Sequence, residues 1–143
     1  EKTVYGLPDT LRLLSAAEEQ VMLAVWSCRA PAMRGDIQRR LQQKGWTAAT
    51  VLNFLYRLEE KGWVKSGKQG NCNTYTPLIT RRAYCVWSMR QRLDLLFEGD
   101  LAAAVQALVS ESGCGQSELE QAIKVLEEKH LEAEEYDLYD PYG

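Results

Sequence analysis

The sequence predicts a mostly α-helical fold with a small β-hairpin, and two observations support this fold class. Two short helical patterns are separated by only about three residues, as in a helix-turn-helix. A pair of short β-prone pieces follows the second of these helices directly, in the position of a wing. Three further amphipathic patterns complete the chain, so we expect a winged helix-turn-helix domain plus a C-terminal helical dimerisation segment.

The first two helices are predicted from their ends and their periodicity. The first covers Ser15–Ser27, where Ser15 and Glu18 have the spacing of a capping box. The second is expected from about Met33 to Lys44, and Gly45 follows it as a residue that adopts a left-handed conformation at little cost. Apolar residues recur at helical spacing in both helices, at Leu14, Val21, Met22, Val25, Trp26, Met33, Ile37 and Leu41.

The third helix and the hairpin follow without a long connection. Thr47 is a suitable N-cap for a helix that ends at Lys61–Gly62. Two β-prone pieces come next, Trp63–Lys65 and Thr74–Thr76, and the turn-forming residues Ser66–Asn73 separate them. The sequence therefore predicts a hairpin with short strands and a long connection.

Three more helices are predicted after the hairpin. Their expected ranges are Thr80 to Glu98, Asp100 to Ser110, and Ser117 to about His130. The last begins with a second capping-box pattern, formed by Ser117 and Glu120. Short amphipathic helices bury little apolar surface among themselves, so a second copy of the chain is the expected partner.

These elements predict three segments. Residues 1–80 form the winged helix, residues 81–131 the helical dimerisation region, and the acidic residues 132–143 a mobile tail. The residues expected to pack in the dimer are Trp87, Leu93, Leu96, Phe97, Leu101, Val105, Leu108, Leu119, Ile123 and Leu126.

The net charge of −3 conceals an asymmetry along the chain. Residues 1–90 carry 14 Lys or Arg against 7 Asp or Glu, a net +7, whereas residues 91–143 carry 3 against 13, a net −10. A basic first part and an acidic second part predict a polyanionic partner for the first part alone. Chance clustering plus a solubilising tail is the alternative explanation.

Several function classes find no support. The single histidine, His130, is expected to interact with a helix C-terminus, and no phosphate-binding glycine loop or metal-ligand spacing is present, so we predict neither catalysis nor a cofactor. No apolar run reaches the roughly 20 residues of a membrane span. The cysteines are expected to be reduced in a cytoplasmic protein, at Cys28, Cys72, Cys85 and Cys114.

The exposed face of the third helix is the candidate DNA-reading surface. On it, Asn53 is suited to adenine, Leu52 to a thymine methyl group, and Arg57 to guanine or phosphate. Lysines and amides of the hairpin are suited to the phosphate backbone. The alternative is a solvated helix face beside a polar turn. The complete candidate set is Thr47, Ala49, Thr50, Leu52, Asn53, Tyr56, Arg57, Lys65, Lys68 and Asn71.

Several motifs at their observed separations resemble the penicillinase repressor family, which includes BlaI and MecI. The resemblance covers about residues 11–130 and rests on LSAAEEQVMLAVW (Leu14–Trp26), GWTAATVLNFLYRLEEKGWVK (Gly45–Lys65), NTYTPLITRRAY (Asn73–Tyr84) and the small-residue helix after FEGD (Phe97–Asp100). It implies a winged-helix homodimer that represses antibiotic-resistance or related operons from a short symmetric operator of double-stranded DNA.

The resemblance also implies a mode of release and shows where the chain departs from the pattern. Sensor-induced cleavage in the family places a bond near Ala107–Leu108, which makes a regulatory protease a possible partner, although this chain lacks the usual Asn-Phe there. Ala49 and Leu52 stand where many members carry basic residues. The C-terminal cysteine metal motif of the copper-responsive relatives is absent. A protein-docking winged helix with little DNA specificity is the alternative function.

Overall fold

The computed structural model describes residues 7–8 and 11–138. The chain divides between Gln91 and Arg92 into two compact units, which we call the N-terminal unit and the C-terminal unit. The sequence places the corresponding boundary at residue 80, so the N-terminal unit extends about one further helical segment. No helix among the described residues is long and apolar enough to cross a membrane.

The first and third helices of the winged helix begin and end close to their predicted positions, and the second is shorter than predicted. Helix α1 covers Ala16–Ser27, α2 covers Arg34–Arg40 and α3 covers Ala48–Glu60. The capping box of α1 is present, with Ser15 Oγ accepting from the Glu18 N–H at 3.2 Å and Glu18 Oε1 accepting from the Ser15 N–H at 3.0 Å. The predicted second helix is divided: α2 ends early, and a 3₁₀ turn at 42–44 leads to a left-handed Gly45.

Three strands form an antiparallel sheet in the order β1-β3-β2. Strand β2 covers Val64–Gln69 and β3 covers Cys72–Pro77, so most of the predicted connection at 66–73 is strand. The pairing of Gln69 with Cys72 leaves a two-residue turn, and Gly70 in it has a φ of 64°. Polar composition concealed these strand residues because nearly all of β2 faces solvent. Strand β1, Ala32–Met33, was not predicted.

The core of the N-terminal unit is built from all of its α-helices and all three strands. Its apolar members are Leu7, Leu11, Val21, Met22, Ala24, Val25, Ala32, Ile37, Leu41, Val51, Leu55, Leu58, Trp63, Val64, Tyr75, Ile79, Tyr84 and Trp87. Helix α4 covers Arg81–Phe97, and its first half belongs to this core. Trp87 is only 4% exposed there, so its predicted place in a dimer interface is wrong: the indole is already buried within its own unit.

The C-terminal unit contains α5 at Leu101–Glu111 and α6 at Gln116–Leu138. Asp100 caps α5 by accepting from the Ala103 N–H at 3.0 Å. The predicted capping box of the last helix does not form, because the helix begins before Ser117 and the Leu119 N–H donates to the Gly115 carbonyl at 3.0 Å. Helix α6 also continues to Leu138, past its expected end near His130, so residues 132–138 of the predicted tail are helical.

Candidate nucleic-acid interface

Helix α3 presents one face to the core and the opposite face to solvent. Val51, Leu55 and Leu58 are buried on the inner face. Its first turn is closed by Thr47, whose Oγ1 accepts from the Thr50 N–H at 3.1 Å and lies 3.0 Å from the Thr50 hydroxyl oxygen. The buried stripe and the cap together fix which side chains of α3 point outward.

Of the seven predicted DNA-contacting residues at the N-cap and along α3, five are exposed and two are half-buried. The exposed members are Thr47, Ala49, Asn53, Tyr56 and Arg57. Thr50 and Leu52 are half-buried. Tyr56 is 64% exposed although its ring is largely apolar. A large ring on an open helix face is available for contact with a partner.

A cleft between α3 and the wing brings part of the predicted set together. Leu52, Asn53 and Tyr56 line one wall, and Lys68 with Asn73 lines the other. The remaining wing candidates, Lys65 and Asn71, are exposed, and Asn71 lines a second cleft between the wing and α2. Helix and wing residues therefore meet at one concave surface, which is the shape that a backbone or groove edge requires.

Sequence reasoning missed four residues that line the same cleft. They are Glu59, Ser66, Gly67 and Tyr75. The Glu59 carboxylate accepts from Ser66, which joins the end of α3 to the wing. Burial raises the pKa of Tyr75, Arg34 opposes this shift and Glu59 adds to it. No sequence signal distinguishes Glu59 from its neighbour Glu60, because its partner Ser66 lies on a strand that was predicted as a turn.

The cations of α2 lie near the wing and differ in availability. Arg34 and Arg39 line the cleft that separates α2 from Lys68 and Asn71. Arg39 forms an ion pair with Asp36, a residue on the same helix turn. Arg40 is exposed at the end of α2, and Lys44 is exposed in the 3₁₀ turn that follows this helix. The second cleft therefore adds basic side chains next to the candidate surface.

Two partly buried contacts join α1 to the end of α3 and to α4. Lys61 Nζ lies 2.6 Å from Glu18 Oε2 and ties the end of α3 to the start of α1. Burial tends to raise the pKa of Glu18, but hydrogen bonds from Lys61 and Ser15 outweigh it and hold this pKa below its ordinary value. The Tyr84 hydroxyl donates to Glu19 Oε2 at 2.7 Å. The first of these contacts fixes the end of α3 to α1, and the second fixes α4 to the same helix.

Most of the predicted dimerisation residues lie in the C-terminal unit and are not buried there. Leu93, Phe97 and Leu119 are half-buried. The exposed ones are Leu96, Leu101, Val105, Leu108, Ile123 and Leu126. Of the pair near the predicted cleavage, Ala107 is half-buried and Leu108 exposed, and both lie inside α5. In the part of the chain that the structure describes, no three His, Cys, Asp or Glu side chains form a group that could hold a metal ion.

Comparison with known proteins decides the family. The model of the penicillinase repressor family matches residues 14–128, which is most of the chain. The chain belongs to the penicillinase repressor family. This family consists of transcriptional repressors, so the expectations of a DNA-binding repressor rather than an enzyme, and of a mostly helical winged-helix fold, are confirmed.

Individual relatives are distant but cover most of the chain. The methicillin resistance regulatory protein MecI of Staphylococcus aureus (strain N315) is 22% identical over 116 residues, covering 81% of this chain and 94% of MecI. An uncharacterized 16.5 kDa protein of Latilactobacillus sakei is 26% identical over 125 residues, covering 85% of this chain and 84% of that protein.

Among solved structures, Bacillus licheniformis BlaI, in its monomeric form with the blaP half-operator, is 28% identical. The match covers 52% of this chain and 92% of the BlaI chain, with a TM-score of 0.45. AbfR in a disulfide-bonded form is 21% identical with a TM-score of 0.41, covering 88% of this chain and 74% of that chain.

Proposed function

We propose that this repressor acts as a homodimer on a symmetric operator, with one α3 of each copy in a major groove. The observation that carries the proposal is the cleft in which Asn53 and Tyr56 of α3 face Lys68 of the wing. An exposed helix face beside a basic hairpin matches the geometry in which a recognition helix reads bases while the wing contacts the backbone.

Asn53 is the proposed base reader, because it is exposed on α3 and its amide matches the hydrogen-bonding edge of adenine. Leu52 and Tyr56 supply apolar contact next to it, as for a thymine methyl group. Arg57, Lys65, Lys68 and the amide of Asn71 are placed with the phosphate backbone. With Ala49 and Leu52 apolar, base selection by this helix depends on few polar groups.

The second copy is assigned to the C-terminal unit. Exposed leucines recur along its helices, at Leu96, Leu101, Leu108 and Leu126, and large apolar side chains that a single copy leaves exposed in such numbers favour an interaction surface. The family match extends through residue 128 and so includes this region. Two linked winged helices would bind two half-sites together, and the dimer would then bind the operator far more tightly than one winged helix binds one half-site.

Release from the operator is proposed to follow disruption of α5, near Ala107–Leu108. Burial in the described part of this helix is slight, and Ala104 is its buried residue. Gly99 and Gly113, which border it, both have positive φ values. A segment with few buried contacts opens locally at low cost and admits a protease. The regulated operon is proposed to be one of antibiotic resistance or a related response.

Selection of duplexes from a random pool by the full chain tests the proposed function. The enriched sequence should contain two inverted half-sites whose centres lie about one helical turn, roughly 10 base pairs, apart. Binding to it should weaken steeply with salt, because contacts with phosphates release counterions. Absence of enrichment, together with binding that salt does not affect, would contradict DNA recognition and favour the protein-docking alternative.

A further inference from the structure

Glu59 lies where a negative charge is unfavourable for two independent reasons. It is in the last turn of α3, at the negative end of the helix dipole, directly before a second acidic residue, Glu60. It also lines the cleft beside Asn53 and Lys68, where the proposed function places DNA phosphates. A carboxylate in this position is stabilised by any contact that offsets these two unfavourable interactions.

That contact is made with the wing. Glu59 Oε1 accepts from the hydroxyl of Ser66 at 2.7 Å and from its backbone N–H at 3.3 Å. Ser66 lies on β2, an edge strand of the sheet, where it pairs with Tyr75 of β3. Edge strands carry backbone groups that the sheet leaves unpaired, and Glu59 uses one of them.

The contact bridges the two elements that would read DNA. At the base of the wing, the Trp63 N–H donates to the Leu58 carbonyl at 2.8 Å and holds the turn between α3 and β2. Ser66 lies three residues farther along β2, and Lys68 follows two residues later. The hydrogen bonds of Glu59 therefore restrain the wing between its base and the lysine that contacts the cleft.

We infer that Glu59 is a positioning residue: through Ser66 it holds the wing at a set distance from α3, so that Asn53 and Lys68 engage the same duplex. This inference rests on the proposed function. It assigns to an acidic residue a role in DNA specificity that does not involve touching DNA. Loss of the link leaves both contact groups intact but lets the wing move independently of the helix.

Four single variants of the full chain separate the hydrogen bonds from the charge. Glu59→Ala removes both, Glu59→Gln keeps an acceptor oxygen without the charge, and Ser66→Ala keeps the charge but removes the stronger donor. Glu60→Ala is the matched control, since it removes an equal charge from the same turn at an exposed position. The probes are a duplex that the unaltered chain selects from a random pool and a shuffled duplex of the same composition.

The measured quantity is the ratio of affinities for the selected and shuffled duplexes. We expect this ratio to fall about tenfold in Glu59→Ala and about threefold in Ser66→Ala, and to stay within about twofold in Glu59→Gln and Glu60→Ala. Glu59→Gln and Glu60→Ala each remove one negative charge, so each should bind the selected and the shuffled duplex slightly more tightly. In Glu59→Ala the salt slope should stay the same on both duplexes, because Lys68 still contacts phosphate and only its alignment with Asn53 is lost.

Two results would overturn the inference. One is equal behaviour of Glu59→Ala and Glu60→Ala, which would leave charge as the whole effect. The other is an unchanged ratio in Ser66→Ala, the variant that alters a single exposed hydroxyl and tests the link even where Glu59→Ala fails to fold. If the unaltered chain has no preference for any duplex, the proposed function itself fails. Faster amide exchange of Ser66 in DNA-free Glu59→Ala than in DNA-free Glu59→Gln supports the link without DNA.

Discussion

Apolar side chains are buried throughout the N-terminal unit and largely exposed in the C-terminal unit. In the first, α1 to α4 and the sheet share one core. In the described part of the second, Ala104 is the buried apolar residue, while leucines such as Leu101 and Leu126 are more than half exposed. The charges differ in the same way, with a net +7 in residues 1–91 and −10 in residues 92–143. The N-terminal unit therefore has an apolar core of its own, whereas the exposed apolar side chains of the C-terminal unit are the ones that the proposed dimer would cover.

Separation of the two units should have the largest effect. A fragment of residues 1–91 should fold and remain monomeric, whereas one ending at residue 80 lacks Tyr84 and Trp87 of the core. Without a linked second copy, the longer fragment should lose about 10²–10⁴-fold in operator affinity. Sedimentation and operator titration of the fragment and the full chain measure both effects. A stable dimer of residues 1–91 would contradict the division.

Truncation of one buried and one exposed leucine should affect the two units differently. Leu58→Ala, at a side chain that is fully buried in the N-terminal unit, should cost about 2–5 kcal/mol of unfolding free energy, because it removes apolar contacts and leaves a cavity. Leu126→Ala, at 52% exposure, should instead weaken dimerisation with little change in the unfolding of the N-terminal unit. Chemical denaturation at several protein concentrations distinguishes the two. Equal, concentration-independent losses would be inconsistent with it.

Asn53→Ala should have a smaller and more selective effect. It should cost about 1–3 kcal/mol on the selected duplex and relax the preference at one base pair, because one bidentate contact is lost. Lys68→Ala is the comparison, and it should weaken binding to all duplexes about equally, since phosphates are common to them. Competition assays with single-base variants measure the preference. A uniform loss in Asn53→Ala would place this residue on the backbone instead.

The ion pair between Glu18 and Lys61 should give the smallest effect, and one that depends on pH. Because the folded-state pKa of Glu18 is below its ordinary 4.5, its contribution is present above that pH and disappears as the pH falls through the lowered value. Glu18→Gln keeps a capping-box partner for Ser15 but should cost about 1 kcal/mol at neutral pH, since Lys61 is half exposed. Thermal unfolding of both proteins from pH 7 to pH 3 should show the difference vanish.

The sequence predicted best those elements whose signals are local. The capping box of Ser15 and Glu18 and the N-cap Thr47 depend on residues within one helical turn, and both are present. Strand β1 depends on pairing between Ala32 and Tyr75, which no local pattern encodes. The polar residues of β2 resemble a loop because every residue of this strand after Val64 is exposed, so no alternation of apolar and polar residues marks it.

The candidate surface shows the same limit. Exposure of Asn53 and Tyr56 could be predicted from the helical period of α3, because the buried stripe determines the opposite face. The contact of Glu59 with Ser66 could not, since it requires Ser66 to be on a strand. Trp87 was assigned to a dimer from its place in an amphipathic pattern, and that pattern does not distinguish packing within a chain from packing between chains.

The position of β2 at the sheet edge has a consequence for aggregation. An open edge offers unpaired backbone groups to any other strand, including the same edge of another copy. Lys65 and Lys68 stand on this exposed strand, so stacking two copies edge to edge would bring like charges together and desolvate them. These lysines therefore disfavour pairing of two copies through their hairpins. Edge-to-edge pairing at the wing would then not compete with the proposed dimer through the exposed leucines of the C-terminal unit.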